Sequence, residues 1–201
     1  LHPRVRRQRQ MCIRDSLMTA GSKKDIALGA IADALCENCE EILAANKIDL
    51  ENGEKSGLTA SLLDRLRLSV ERINGMADGV RQVAALPDPV GRVLDGRTLK
   101  NGLQIEKVTV PMGVIGIIFE ARPNVTSDAA ALCLKAGSAV ILRGGKEAFH
   151  SNMAIARVMR DALEKAGFPR DCVALVEDTT RQSATELMQL SLIHISEPTR
   201  P

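Results

Sequence analysis

Residues 111–152 read PMGVIGIIFEARPNVTSDAAALCLKAGSAVILRGGKEAFHSN and decide the fold of this 201-residue chain. Two short apolar runs, residues 114–119 and 139–143, are each followed by a polar turn and then by a helical stretch, residues 126–136 and 149–166. Short apolar strands that alternate with helices are typical of a parallel sheet covered on both faces. Such sheets bind ligands at the carboxyl ends of their strands, so both polar turns are candidate sites.

The same alternation continues after residue 152. Residues 172–177 form a third apolar run, and residues 181–190 repeat apolar side chains at helical spacing. Three strands connected by helical crossovers predict a right-handed βαβαβ half-sheet. The predicted fold class is therefore α/β, with an incomplete Rossmann-like parallel sheet.

The apolar spacing before residue 90 is helical. Residues 17–49 and residues 59–85 each predict a helix, because apolar side chains recur there every three to four positions. The polar, glycine-bearing stretch 46–58 predicts a turn between them. Pro87 and Pro89 predict the end of the second helix.

An extended pattern separates these helices from residues 111–152. Residues 90–94 and 102–110 carry side chains typical of β-strands. The dipeptides Asp95-Gly96 and Asn101-Gly102 lie between them, and both are strong turn signals. We therefore expect a short antiparallel excursion before the parallel sheet begins.

The composition argues against several classes of protein. No run of about 18 apolar residues is present, so the sequence offers no membrane-spanning helix. Three Phe and no Trp or Tyr argue against a stacking platform for single-stranded nucleic acid. The five cysteines form no spaced disulfide framework, which favours a reduced, cytoplasmic protein.

The two ends of the chain differ from its body. Residues 1–16 hold five Arg and one Asp, and a basic arm of this kind is a candidate nucleic-acid tail. However, MCIRDS within this arm and SLIHISEPTRP at residues 191–201 resemble translated sequencing-adaptor sequence, and each breaks the pattern of the helical stretch beside it. We expect both ends to be non-native, so that residues 17–190 are the native protein.

The turn after the first parallel strand carries a candidate catalytic amide. It reads EARPNVT over residues 120–126, and Pro123 restricts the backbone before Asn124. The Asn124 side chain just ahead of the predicted helix is a neutral donor, which suits a developing oxyanion. The alternative is that Asn124, Thr126 or Ser127 only caps the helix. Spacing alone leaves both interpretations open.

The turn after the second parallel strand is a candidate cofactor site. Gly144 and Gly145 allow the backbone to approach a phosphate or ribose, while Arg143 and Lys146 supply positive charge. Glu147 is suited to accept hydrogen bonds from a ribose hydroxyl. The alternative is a glycine-rich strand-to-helix turn whose charges are solvated. Neither the GxGxxG nor the GxxxxGK[ST] nucleotide fingerprint is present.

The cysteines predict structural positions and no metal site. Cys36 and Cys39 have CxxC spacing, but they lie inside a predicted helix with no second Cys or His pair. Cys133 lies between apolar helical neighbours, and Cys172 begins a strand at the end remote from the expected crevice. Both are therefore predicted to be buried small side chains.

Together, EARPNVT and ILRGG (residues 141–145), in this order and spacing, resemble the gamma-glutamyl phosphate reductase family, a branch of the aldehyde dehydrogenase superfamily. The resemblance covers residues 17–190, with NKIDL near its start and VEDTTR near its end. It implies a fold of the aldehyde dehydrogenase type and the NADPH-dependent reduction of L-glutamyl 5-phosphate to L-glutamate 5-semialdehyde in proline biosynthesis. In this reaction a cysteine thiolate attacks the acyl phosphate, phosphate leaves and hydride reduces the thioester.

The resemblance also implies roles for individual residues. Asn124 corresponds to the oxyanion donor, Arg143 takes the place of a cofactor-contacting Lys, and Glu147 that of a ribose-contacting acid. Lys146 favours a 2′-phosphate. In the family the nucleophilic cysteine lies beyond the last residue of this chain, in a separate catalytic domain. We therefore expect an inactive N-terminal part of the NADP-binding domain, with the catalytic domain absent.

Two other interpretations stay open at this level. A general aldehyde dehydrogenase is one, although EARPNVT replaces the aromatic-containing Asn turn usual in that branch. A non-enzymatic nucleotide-binding module with a basic arm is the other. For the leading interpretation we expect a small-molecule substrate and no nucleic-acid or membrane partner. By analogy with related enzymes, residues 90–110 offer a surface for pairing with a second subunit of a homo-oligomer.

Overall fold

The structure is a computed structural model that describes residues 21–190, and the sequence predictions for residues 1–20 and 191–201 lie outside the described residues. Four helices come first: α1 Gly21–Glu37, α2 Cys39–Lys55, α3 Ala60–Leu66 and α4 Val70–Ala85. A hairpin of two strands follows: β1 Val93–Thr98 and β2 Gln104–Val108. Strands and helices then alternate: β3 Val114–Ile118, α5 Asn124–Lys135, β4 Ala139–Arg143, α6 Phe149–Lys165, β5 Val173–Leu175 and α7 Arg181–Met188.

The strands β3, β4 and β5 form a parallel sheet in that order, as the sequence predicted. Ile118 at the end of β3 is paired with Arg143 at the end of β4, so the two candidate turns leave the sheet side by side. β5 is shorter than the predicted strand 172–177, because residues 170–172 form a single 3-10 turn and pairing with β4 ends at Leu175.

The prediction of one helix over residues 17–49 was wrong. α1 ends at Glu37 and α2 begins at Cys39. Between them, Asn38 donates its side-chain amide to the Ala34 carbonyl at 2.8 Å. Asn side chains that bond to nearby backbone compete with helical hydrogen bonds, which accounts for a break at this position.

The predicted turn over residues 46–58 was also wrong for most of its length, because α2 continues to Lys55. Two polar residues of this stretch, Asn46 and Asp49, form hydrogen bonds to neighbouring elements instead. Asn46, 1% exposed, donates to Leu66 O and accepts from Leu68 N, both at 2.8 Å. Asp49, 2% exposed, accepts from the Ser151 N–H at 2.7 Å, in the first turn of α6. A carboxylate there satisfies N–H groups that have no partner within their own helix.

The second predicted helix, residues 59–85, is divided as well. α3 ends at Leu66 and α4 starts at Val70. Ser69 is the N-cap of α4, because its hydroxyl accepts from Arg72 N at 3.2 Å. Residues 67–69 therefore form a short connection between α3 and α4, and a hydrogen bond from Arg72 N to the Ser69 hydroxyl holds its end.

The hairpin confirms the predicted antiparallel excursion. Its turn includes Gly102, whose φ of 86° lies in the left-handed region that favours glycine. The prediction of a turn at Asp95-Gly96 was wrong, because both residues lie inside β1, next to an irregularity in its register. Every residue of β1 and β2 is exposed.

The core lies where α1 and α4 pack against α5 and α6, and where α5 and α6 cover the sheet. Its fully buried large side chains include Leu28, Ile31, Leu35, Ile73, Val140, Leu142, Ile155 and Met159. Two buried lysines connect α1 to neighbouring segments: Lys24 Nζ lies 2.8 Å from Asp88 Oδ1, after α4, and Lys135 Nζ of α5 lies 2.5 Å from Asp25 Oδ1. Among residues 21–190, no helix is long and apolar enough to cross a membrane.

Candidate active site

The two candidate turns are in contact with each other. Phe119 N donates to Arg143 O at 3.0 Å, which extends the β3–β4 pairing by one residue into both turns. A Cβ placed on Gly145 would lie 3.3 Å from the carbonyl carbon of Glu120, so the backbones of the turns approach closely. The sequence prediction that both turns lie at one edge of the sheet agrees with this geometry.

Asn124 is the first residue of α5, two residues earlier than the predicted helix start, and its side chain does not cap the helix. Its Nδ2 donates to Asp128 Oδ2 at 3.2 Å on the exposed side of α5. Burial raises the pKa of the Asp128 carboxyl, although hydrogen bonds from Asn124 and Ser127 act in the opposite direction. An amide hydrogen of Asn124 is thus oriented by a neighbour one helical turn away, and a second hydrogen is left for another acceptor.

The capping interpretation was wrong for all three candidates. Thr126 Oγ1 donates to Asn152 Oδ1 at 3.0 Å, which joins α5 to α6 inside the core. Ser127 Oγ donates to Asn124 O at 2.9 Å, within the same helix. The residue at the N-cap position is Pro123, which forms no side-chain hydrogen bond. Asn124 is therefore not needed as a cap.

Asn124 lines a cleft of about 410 Å³ between α5, α4 and the α3–α4 connection. We call it the arginine cleft, because four of its lining residues are arginines. The full lining is Asp64, Arg65, Arg67, Leu68, Arg72, Gly75, Met76, Arg122, Asn124 and Asp128. Sequence reasoning missed Arg65, Arg67 and Arg72. The signal that was available is the alternating run Arg-Leu-Arg-Leu at residues 65–68, which is unusual at a helix end.

The side chain of Arg143 is directed away from the arginine cleft. Its Nη2 donates to the carbonyl oxygens of Thr179 at 2.6 Å and Thr180 at 2.9 Å, in the connection between β5 and α7. Asn124 and Arg143 therefore contact different elements: Asn124 lines the arginine cleft, and Arg143 bonds to the connection between β5 and α7. The turns are adjacent, but these two side chains have different partners.

The two glycines after β4 lie in close packing. A Cβ on Gly144 would overlap the side-chain amide nitrogen of Asn152, and one on Gly145 would lie 2.6 Å from Glu147 Oε2. Lys146 is exposed beside them. Two buried donors near this turn, Arg143 Nε and Asn152 Nδ2, have no hydrogen-bond partner among the described residues. The exposed cationic Lys146 beside two glycines fits an anionic carrier.

The described cysteines match their predicted structural roles. Cys133 is 5% exposed, and burial raises the pKa of its thiol to about 11, so it is a poor nucleophile near neutral pH. Cys172 is 1% exposed. Cys36 and Cys39 flank the break at Asn38 and are half-buried. Within residues 21–190, no group of three or more His, Cys, Asp or Glu side chains is arranged to hold a metal ion.

Known proteins resemble this chain in sequence and in fold. A gamma-glutamyl phosphate reductase of Clostridium novyi is 54% identical over 168 residues, which cover 84% of this chain and 40% of that protein. The crystal structure of a gamma-glutamyl phosphate reductase of Thermotoga maritima matches with a TM-score of 0.87 and 39% identity, over 91% of this chain and 45% of the other.

More distant structures share the fold alone. An engineered glycolyl-CoA reductase with bound NADP+ is 16% identical, with a TM-score of 0.61 over 91% of this chain and 38% of the other. The chain thus spans about 40% of the length of the curated relatives that it matches. A sequence model of the aldehyde dehydrogenase family matches residues 17–195, and the chain therefore belongs to the aldehyde dehydrogenase family.

Proposed function

We propose that this chain is part of a gamma-glutamyl phosphate reductase, which reduces L-glutamyl 5-phosphate to L-glutamate 5-semialdehyde in proline biosynthesis. The observation that carries the proposal is the position of Asn124, at the carboxyl end of β3 and on the wall of a cleft lined by four arginines. Relatives with 54% identity bear the name of this enzyme. An acyl phosphate with a free carboxylate is strongly anionic, which suits such a cleft.

In the proposed reaction, Asn124 stabilises the negative oxygen that forms when a thiolate attacks the acyl carbon. Its Nδ2 donates to that oxygen, so the tetrahedral intermediate is favoured over the planar acyl group. The intermediate collapses, the C–O bond to phosphate breaks, and phosphate leaves with the electron pair.

None of the described cysteines lines the arginine cleft, so none of them is placed to supply the thiolate. Cys133 and Cys172 are buried, and Cys36 and Cys39 lie at the junction of α1 and α2. Burial also raises the pKa of Cys39, which is the opposite of what an activated thiolate needs. We therefore assign the nucleophile to a part of the enzyme outside residues 21–190.

Membership of the aldehyde dehydrogenase family supports a nicotinamide cofactor, and we propose NADPH. When bound, this cofactor supplies the hydride that converts the thioester to the aldehyde. We assign its binding to Arg143, Gly144, Gly145, Lys146 and Glu147, at the end of β4 and in the turn that follows. The exposed ammonium of Lys146 suits a 2′-phosphate, which distinguishes NADPH from NADH.

The function can be tested in an enzyme that joins residues 17–190 of this chain to the remaining carboxyl-terminal part of the Clostridium novyi relative; we call it the joined enzyme. We expect it to oxidise L-glutamate 5-semialdehyde with NADP+ only when inorganic phosphate is present, as followed by NADPH absorbance. Oxidation without phosphate would favour a general aldehyde dehydrogenase. We expect the 201-residue chain by itself to show no activity, and turnover by that chain would contradict our assignment of the nucleophile.

We also propose that the complete enzyme is a homo-oligomer that pairs through the hairpin. All residues of β1 and β2 are exposed, and the directly paired Val93 and Val108 are 58% and 41% exposed. Apolar surface of this kind is characteristic of an interface. Light scattering of the joined enzyme should give a molar mass above that of the monomer. Val93→Lys combined with Val108→Lys should lower this molar mass towards the monomer value.

A further inference from the structure

Both walls of the arginine cleft show the same alternation of buried and exposed residues. In the α3–α4 wall, Leu66 and Leu68 are buried while Arg65 and Arg67 are exposed. In the opposite wall, Ala121 and Pro123 are buried while Arg122 and Asn124 are exposed. Each wall is thus anchored by apolar residues, and its intervening polar side chains line the cleft.

The α3–α4 wall is also fixed in position by hydrogen bonds from two directions. From the core, Asn46 bonds to the backbone of Leu66 and Leu68, at 2.8 Å each. From the outside, Arg72 Nη1 donates to Asp64 O at 2.5 Å and to Arg67 O at 2.6 Å. Binding groups on a backbone held in this way lose little entropy when a ligand arrives.

Three guanidinium groups of the cleft are available for a ligand. Arg72 is committed to Asp64, with Nη2 and Oδ1 3.0 Å apart. Among residues 21–190, the side chains of Arg65, Arg67 and Arg122 form no ion pair or hydrogen bond. The remaining acid of the cleft, Asp128, is turned towards Asn124. The cleft therefore has an excess of positive charge next to the candidate oxyanion donor.

We propose that these three arginines are specificity-determining residues: Arg122 binds the phosphate of the acyl phosphate, and Arg65 with Arg67 binds the α-carboxylate. This inference rests on the proposed function. Arg122 lies two residues from Asn124, and the phosphate is attached to the same carbon whose oxygen Asn124 stabilises. The α-carbon lies three carbons further along the substrate, and Arg65 and Arg67 lie on the opposite wall. Guanidinium groups bind carboxylate and phosphate through paired hydrogen bonds.

The reverse reaction separates the two anions, because L-glutamate 5-semialdehyde carries the carboxylate and inorganic phosphate is a separate substrate. In the joined enzyme, we expect Arg122→Gln to raise the KM for phosphate about 10- to 100-fold and to leave the KM for the semialdehyde within about twofold. Arg65→Gln combined with Arg67→Gln should raise the KM for the semialdehyde to a similar extent and leave the KM for phosphate nearly unchanged. Lys23→Gln combined with Lys47→Gln removes two exposed charges outside the cleft and should change neither KM.

Several outcomes overturn the inference. If both KM values rise together in each variant, the arginines only maintain structure, and thermal unfolding midpoints of the variants will show whether stability fell. If neither KM changes in an active enzyme, the inference fails while the proposed function stands. If the joined enzyme without substitutions lacks phosphate-dependent activity, the proposed function fails and the inference fails with it. Partial recovery of the phosphate KM in Arg122→Lys would support a direct charge contact.

Discussion

The Asn124 amide is oriented by Asp128, one helical turn further along α5, with Nδ2 and Oδ2 3.2 Å apart. This contact engages one amide hydrogen and leaves the other for a further acceptor. Donors that are oriented before the reaction begins need no reorganisation as charge develops, which is the main source of their effect on rate. At the residue scale, the candidate site therefore depends on a pair of side chains, and the sequence pointed to only one of them.

In the joined enzyme, Asn124→Ala is expected to lower kcat about 100- to 1000-fold, because an oxyanion donor acts mainly in the transition state. The KM values should change little. Steady-state rates of semialdehyde oxidation measure both quantities. Asn52→Ala, at an exposed position of α2, is the matched control and should keep the original kcat. A kcat within about threefold of the original in Asn124→Ala would exclude the amide as the donor.

At the scale of elements, the β4–α6 turn depends on side chains that contact it from other helices. Gly144 packs against Asn152 of α6, whose Oδ1 accepts from Thr126 of α5. Asp49 of α2 accepts hydrogen bonds at the start of α6, from the backbone and hydroxyl of Ser151 at 2.7 and 2.6 Å. Three helices thus converge on one turn, and this convergence makes glycine necessary there.

Gly144→Ala is expected to lower the free energy of unfolding by about 1–3 kcal/mol, because the new Cβ would overlap the buried Asn152 amide. Gly29→Ala provides the matched comparison. Gly29 lies within α1, and a Cβ at that position would have no atom within 4 Å, so alanine there should stabilise the chain by about 0.5–1 kcal/mol. Urea unfolding of both variants tests the pair. Equal effects in the two would contradict the packing argument.

At the scale of the whole molecule, the core is continuous from the helices to the sheet and includes ionisable groups. Cys133 of α5 lies in it, 5% exposed, and the pKa of its thiol is raised from 9.0 to about 11. The folded chain therefore keeps a proton that the unfolded chain loses between these values. Because the unfolded state binds fewer protons there, stability falls as the pH rises through this window.

The loss due to Cys133 is expected to approach about 1.4 kcal/mol per pH unit at its steepest. Urea unfolding of the 201-residue chain from about pH 8 to about pH 10.5 measures the dependence. Cys133→Ala removes the thiol and should flatten the curve by that amount, while lysines and other groups keep their own contribution. Parallel curves for the two proteins would show that Cys133 does not titrate differently on folding.

The sequence determined the order of the strands and helices after residue 111, because their periodicity and turn residues act locally. It placed β4 over residues 139–143 and put both candidate turns at the ends of neighbouring strands. It also indicated, through the resemblance of EARPNVT and ILRGG, the family that the comparisons then supported. These properties depend on residues that are near each other in the chain.

Which polar residues are buried, and where side chains point, depends on contacts between elements that are far apart in the chain. Asn46 and Asp49 look like turn residues in the sequence, yet they are buried because their partners lie 20 or more positions away. Arg143 bonds to Thr179 and Thr180, 36 and 37 positions further on, so its direction could not be read locally. The arginine cleft has the same origin, since its walls are distant in the chain and meet only when α4 packs against α5.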